Sequence, residues 1–114
     1  QVYTALYMKE KESWVNLTGF AAEPIEEILN MIKGRQKSVI FLGDGVPVFK
    51  DVIMQKLQGN CFFAPPHVSL QRASSVAQIA LLRAMRGEVE DCDTLEPFYL
   101  RKSQAEQAYD RCTP

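Results

Sequence analysis

The stretch from Ser38 to Phe63 constrains the fold of this chain more than any other. Ser38 to Leu42 reads S-V-I-F-L, a short apolar run suited to a central buried strand. Gly43-Asp44-Gly45 then turns the chain. From Val46 to Leu57 the residues Phe49, Val52, Ile53 and Leu57 predict the inward side of a helix, with Pro47 near its start. Gln58-Gly59-Asn60 closes that helix. Cys61-Phe62-Phe63 is a second short strand, stopped by Ala64-Pro65-Pro66. Strand, helix and strand in this order mark an α/β architecture.

Upstream, Val2 to Met8 alternates in the way a strand inside a covered sheet does. Val2, Thr4, Leu6 and Met8 take one face, Tyr3, Ala5 and Tyr7 the other, and both are largely apolar. Lys9-Glu10-Lys11-Glu12 reads as a hairpin connection, and Trp14 to Phe20 as the antiparallel return strand. Glu23-Pro24 opens a helix: Pro is tolerated at the first helical position, and Glu23, Glu26 and Glu27 suit the positive helix end. Ile25, Ile28, Leu29 and Ile32 form one buried stripe. Gly34 is expected to stop this helix, with Lys33, Arg35 and Lys37 crowding its negative end.

Downstream, His67 to Arg86 is the longest helix candidate, with Ser69 as its cap. Val76, Ile79, Ala80 and Arg83 share a face, and Ala73, Ala77, Ala80 and Ala84 make a small-residue stripe that permits close packing. Gly87 ends the helix. Residues 88–96 are acidic and read as a solvated linker. Pro97 to Arg101 is a compact amphipathic segment, and Lys102 to Cys112 a polar, helix-prone tail. The whole order predicts an α/β fold with a mixed sheet, flanking helices and a C-terminal tail.

Thirteen Lys and Arg against fourteen Asp and Glu leave a net charge of −1. That balance argues against a nucleic-acid footprint, which needs a basic surplus or stripe. With 46% hydrophobic and 24% charged residues in 114, the composition is that of one globular domain rather than a disordered chain. No run approaches the roughly 18 consecutive apolar residues of a membrane span. No basic start followed by an apolar run marks a signal peptide. Cys61, Cys92 and Cys112 are odd in number and widely spaced, which disfavours a disulfide framework and points to a reducing, cytoplasmic setting. Gln1 falls directly inside a strand-like run with no initiator Met, so the chain reads as a fragment.

Several constellations could carry chemistry. The backbone of Gly43-Asp44-Gly45 could cradle a phosphate, but the pattern is neither G-x-G-x-x-G nor followed by G-K-[ST], and a tight turn is the better reading. His67 is the single His. Cys61 lies six residues before it, yet Pro65-Pro66 separate the two and nothing indicates an orienting third group. With no C-x-x-C, a zinc site would need scattered ligands, and the acidic run Glu88 to Asp93 lacks the spacing of a calcium loop. No catalytic residue, metal or cofactor is therefore predicted. For Tyr99 and Arg101 two readings stand side by side: a tail packed back on the core, or a docking edge for a partner chain.

The order of motifs resembles the C-terminal half of the TsaB (YeaZ) family. Val2-Tyr3, Ala5 and Tyr7 match its opening strand, Pro24 its helix start, and Gly43 and Gly45 the end of its apolar strand. Pro66, Ala73 and Ala77 match its Pro turn and small-residue helix. The most specific match is E-P-x-Y-L-R after an acidic linker, here Glu96-Pro97-Phe98-Tyr99-Leu100-Arg101. The resemblance covers nearly the whole chain. It implies an RNase H-like lobe of the actin, heat-shock ATPase and sugar-kinase type. It also implies a non-catalytic role: supporting a TsaD-type transferase, with a TsaE-type ATPase, in placing threonylcarbamoyl on adenosine 37 of tRNA. Val2, Tyr3, Gly43, Gly45, Pro97, Tyr99, Leu100 and Arg101 would then be structural or docking positions. Family contacts with partners come mainly from the N-terminal lobe. A homodimer is expected without the partners, and tRNA contact only through the complex.

The chain departs from the family by starting inside the second lobe. The D-A-R-x-G-E stretch before V-Y is absent, so residues 1–114 are expected to form a single incomplete RNase H-like lobe lacking the central strand between residues 1–8 and 38–42. Two alternatives stand beside the scaffold reading. One is an enzyme, either a glycoprotease-like metallopeptidase or a nucleotide-hydrolysing protein, with its active residues elsewhere. The other is a stand-alone α/β binding domain. Nothing here forms H-E-x-x-H or H-x-x-x-H, which weighs against the peptidase.

Overall fold

Lys11 and Glu12 turn the chain back on itself, and the arms on either side pair in two stages. Val2–Thr4 (β1) and Tyr7–Glu10 (β2) form the outgoing arm, Ser13–Asn16 (β3) and Ala21–Glu23 (β4) the return. The pairing is antiparallel throughout, with Tyr7 opposite Asn16 and Thr4 opposite Ala21. Only Ala5 and Leu6 separate the two stages on the outgoing arm, whereas Leu17 to Phe20 separate them on the return. The return arm therefore carries a bulge. Thr18 Oγ1 accepts the Leu6 amide N–H at 3.0 Å, and Asn16 Oδ1 accepts the Thr18 N–H at 3.1 Å. Gly19 completes the bend at φ 70, a conformation other residues rarely hold. The strands expected over Val2 to Met8 and Trp14 to Phe20 are thus each broken, because side-chain oxygens of Asn16 and Thr18 take hydrogen bonds that a continuous ladder would give to the backbone.

The computed structural model describes residues 1–112. The chain divides into two compact units, Gln1–Pro24 with the segment from Glu96 onward, and Ile25–Leu95. In the first unit, Phe20 meets Phe98 with ring centroids 5.8 Å apart. Its tail ends in the helix Gln104–Cys112, named α5 below. No described residue of this unit is buried.

The second unit holds the core. Helix α1 (Ile25–Gly34) follows Pro24 directly, with Glu26 and Glu27 in its first turn and Lys33 in its last. Its stripe buries Ile28, Leu29 and Ile32 against helix α2 (Val46–Leu57), which contributes Ile53 and Leu57. Leu29 and Ile53 retain 0% and 1% exposure, and burying each is worth about 1.5–3 kcal/mol. Helix α1 ends at Gly34 as expected, but the left-handed residue that closes it is Gln36, at φ 52.

Strands β5 (Val39–Phe41) and β6 (Cys61–Phe63) pair in parallel through α2. One face of this pair meets α2: Val39, Phe41, Cys61 and Phe63 are half-buried, the Phe41 and Phe63 rings lie 6.0 Å apart, and Lys50 Nζ of α2 sits 5.1 Å above the Phe63 ring. The other face is bare, with Ile40 64% and Phe62 56% exposed. The expectation of a central buried strand at Ser38 to Leu42 is not met. Among the described residues β5 has one strand neighbour and helices on one face only. Among the described residues the six strands form three separate two-stranded ladders rather than one mixed sheet.

The helix expected from His67 to Arg86 is two. Helix α3 (Pro66–Ser69) ends at Leu70, which is extended at φ −101 and ψ 159, and helix α4 (Ala73–Met85) starts after Arg72. Ser69 does not cap α4; its carbonyl instead accepts the Gly43 amide at 2.7 Å. Val76 and Ile79 lie three residues apart on α4 and share a face as expected, but that face is exposed, since α4 buries no residue at all.

Candidate functional site

Gly43 and Gly45 play different parts in the β5–α2 turn. Gly43 has φ 118 and needs to be glycine, and its amide is committed to Ser69. Gly45 is the residue before α2, at φ −73, and its carbonyl accepts the amides of Val48 and Phe49 at 3.2 Å. A phosphate cradle would need amides aimed at solvent, and Gly43 has none to offer. The geometry is that of a turn tying β5 to the end of α3.

The sequence motifs disperse. Val2 is half-buried and Tyr3 exposed on β1, where Tyr3 stands opposite Ala22. In the E-P-F-Y-L-R segment Leu100 is half-buried, while Pro97, Phe98, Tyr99 and Arg101 are exposed, Tyr99 at 81%. Cys61 is half-buried at the start of β6, and His67 is exposed on α3, its carbonyl accepting Arg72 Nη1 at 3.4 Å. Asp91, Cys92 and Asp93 gather their ligand atoms within 4.8 Å, all exposed, in a turn where Asp91 Oδ1 accepts the Asp93 amide. Cys92 Sγ is itself 3.9 Å from Asp93 Oδ1.

Two surfaces stand out instead. The first is α4, where Val76, Ile79, Leu81, Leu82 and Met85 are all exposed on several sides of one helix. The second is a cleft of about 300 Å³ between the ends of α1 and α2. Three of its lining residues are lysines, Lys33, Lys37 and Lys56. The sequence shows Lys33 and Lys37 as helix-end charges, while Lys56 carries no signal of its own. That the two ends meet is a fact of the tertiary structure.

In the tail, Ser103 and Glu106 form a capping box at the start of α5. Glu106 Oε2 accepts the Ser103 amide at 2.7 Å, and Ser103 Oγ accepts the Glu106 amide at 3.2 Å. Hydrogen bonds from the Ser103 side chain, then from its backbone, hold the Glu106 carboxyl below the usual carboxylate range. The S-Q-A-E spelling at 103–106 is a visible signal for it.

No protein-family model, curated protein or solved structure matches the chain. Among the described residues, no helix is long and apolar enough to cross a membrane.

Proposed function

We propose that the chain is part of a non-catalytic scaffold subunit of the tRNA-modifying machinery. It would support a TsaD-type transferase and a TsaE-type ATPase in threonylcarbamoylation of adenosine 37 of tRNA, in the cytoplasm. In this reading residues 1–114 belong to an incomplete RNase H-like lobe. The E-P-F-Y-L-R segment and the motifs ordered before it supply the identity of the system. The role rests on one observation, the apolar surface of α4, which buries none of its residues. A helix apolar on several sides gains by being covered. Each Val, Ile or Leu so covered contributes about 1.5–3 kcal/mol. The bare Ile40–Phe62 face and the exposed Phe98 and Tyr99 point the same way. A partner chain meets this need in the assembly, and a second copy meets it in the partner's absence. Contact with tRNA falls to the assembled complex.

The test is made on tRNA. The full-length gene is depleted in its host, bulk tRNA digested, and threonylcarbamoyladenosine quantified by mass spectrometry. Loss of the nucleoside, restored by the full-length gene, is the expected result. An unchanged level would overturn the reading and put a stand-alone α/β binding domain in its place.

A further inference from the structure

The register of the hairpin sorts its side chains onto two faces. Val2, Thr4, Met8, Val15 and Ala21 fall together on one, and all are half-buried. Tyr3, Tyr7, Lys9 and Trp14 fall on the other, and all are exposed. An antiparallel ladder with one covered face ordinarily turns polar residues to the open one. Here the open face carries three aromatic rings instead, with Tyr3 and Trp14 each 66% exposed. Among the described residues, none of the three rings makes a side-chain hydrogen bond or a ring contact.

The same register sorts charge. Lys9 stands directly opposite Trp14 on the aromatic face and makes no ion pair among the described residues. Glu10 stands opposite Ser13 and Glu23 opposite Val2, both on the other face. Lys11 and Glu12, one of each sign, occupy the turn. The net charge of −1 for the whole chain therefore does not describe this face, whose strand residues include a cation and no carboxylate.

The spacing of the rings suits flat ligands. Tyr7 is opposite Asn16, so Trp14 is its diagonal neighbour, at about 7–8 Å between backbones. Nucleic-acid bases stack at about 3.4 Å, so one base fits between two rings so placed. Tyr3 lies four residues along the strand from Tyr7, about 13 Å away, which leaves room for a further base. No Leu, Ile, Val or Met lies on this face of the strands to meet the aliphatic side chains of a protein partner. Every base has a π-face, so a row of rings with a cation beside it holds a single strand.

We propose that the aromatic face of the hairpin binds the unpaired bases of single-stranded RNA. Tyr7 and Trp14 stack on one base, Tyr3 on another, and Lys9 meets a backbone phosphate. RNA loops display their bases unstacked, which duplex DNA does not. The proposal uses no residue of α4 and does not depend on the scaffold reading.

Trp14 is the only Trp in the chain, so its fluorescence reports on this face directly. The full chain is titrated with hexauridylate, and with polyphosphate as an anion without bases. Hexauridylate is expected to quench Trp14 saturably, and polyphosphate to leave it unchanged. Tyr7→Leu and Tyr3→Leu should each weaken binding about fivefold or more, with the urea midpoint unchanged. Lys9→Gln should lower the slope of log affinity against log salt by about 0.7. Three results would overturn the proposal: no quenching, equal quenching by polyphosphate, or an affinity indifferent to both tyrosine variants. Trp14 emission that changes with protein concentration alone would assign the face to a second copy and overturn it too.

Discussion

Gln36 and Gln58 close two different helices in the same left-handed backbone conformation, and both face one cleft. The Gln58 amide donates to the Met54 carbonyl at 3.1 Å, and the Gln36 amide to the Lys33 carbonyl at 3.3 Å. The backbone therefore gains capping bonds at both ends while each side chain pays a steric cost.

That cost is measurable. Gln58→Gly removes the Cβ from a left-handed residue and should raise stability by about 1 kcal/mol. Urea unfolding at constant m-value reads it as a higher midpoint. A lower midpoint would mean that the glutamine side chain makes stabilising contacts that outweigh the strain.

Leu29 and Ile53 and the exposed α4 residues should behave oppositely. Leu29→Ala removes a fully buried side chain and is expected to cost about 2–5 kcal/mol. Ile79→Ser with Val76→Ser, on a helix that buries nothing, should change the isolated chain by less than about 1 kcal/mol. The same pair should reduce self-association in sedimentation, because it removes apolar surface available to a second copy.

Thr18 holds the bulge between β3 and β4. Thr18→Val keeps the shape and deletes the oxygen that accepts the Leu6 amide. A loss of about 1 kcal/mol is expected. Hydrogen exchange should quicken at Leu6 before it does at Met8 or Val15.

The α5 capping box makes helix content depend on pH. The Glu106 carboxyl titrates lower folded than unfolded, so its contribution is present above the unfolded carboxylate range. It fades as pH falls through the lowered folded value. NMR chemical shifts of residues 104–107 should report fraying in acid, and Glu106→Gln should abolish that pH dependence.

Much of the second unit is legible from residue spacing. Ile25, Ile28, Leu29 and Ile32 specify the α1 stripe, and S-V-I-F-L, the Gly-Asp-Gly turn and C-F-F specify β5, α2 and β6. What spacing hides is local chemistry that keeps an apolar pattern intact. Val15 and Leu17 continue an alternation across a bulge built by Asn16 and Thr18. No Gly or Pro lies between Ser69 and Ala73 to announce the break between α3 and α4. Gly34 draws attention away from Gln36, which carries the left-handed turn after α1, whereas after α2 both Gln58 and Gly59 hold a positive φ. The cleft is illegible for a different reason: Lys33 and Lys37, at and just beyond the end of α1, and Lys56, near the end of α2, are brought to one place only when α1 packs on α2. The E-P-F-Y-L-R segment is plain as a string, but its exposure depends on what surrounds it.

The bulge has a consequence for parity. The return arm holds two residues more than the outgoing arm between the paired segments. Side chains alternate with a period of two, so an even excess brings β4 back in phase with β3. An insertion or deletion of one residue between Leu17 and Phe20 would break that phase and present Ala21 and Glu23 on the side now occupied by Ala22. Removing two would shorten the bend and leave every face as it is. Length change in this loop is therefore tolerated in pairs, and the hairpin counts its residues modulo two.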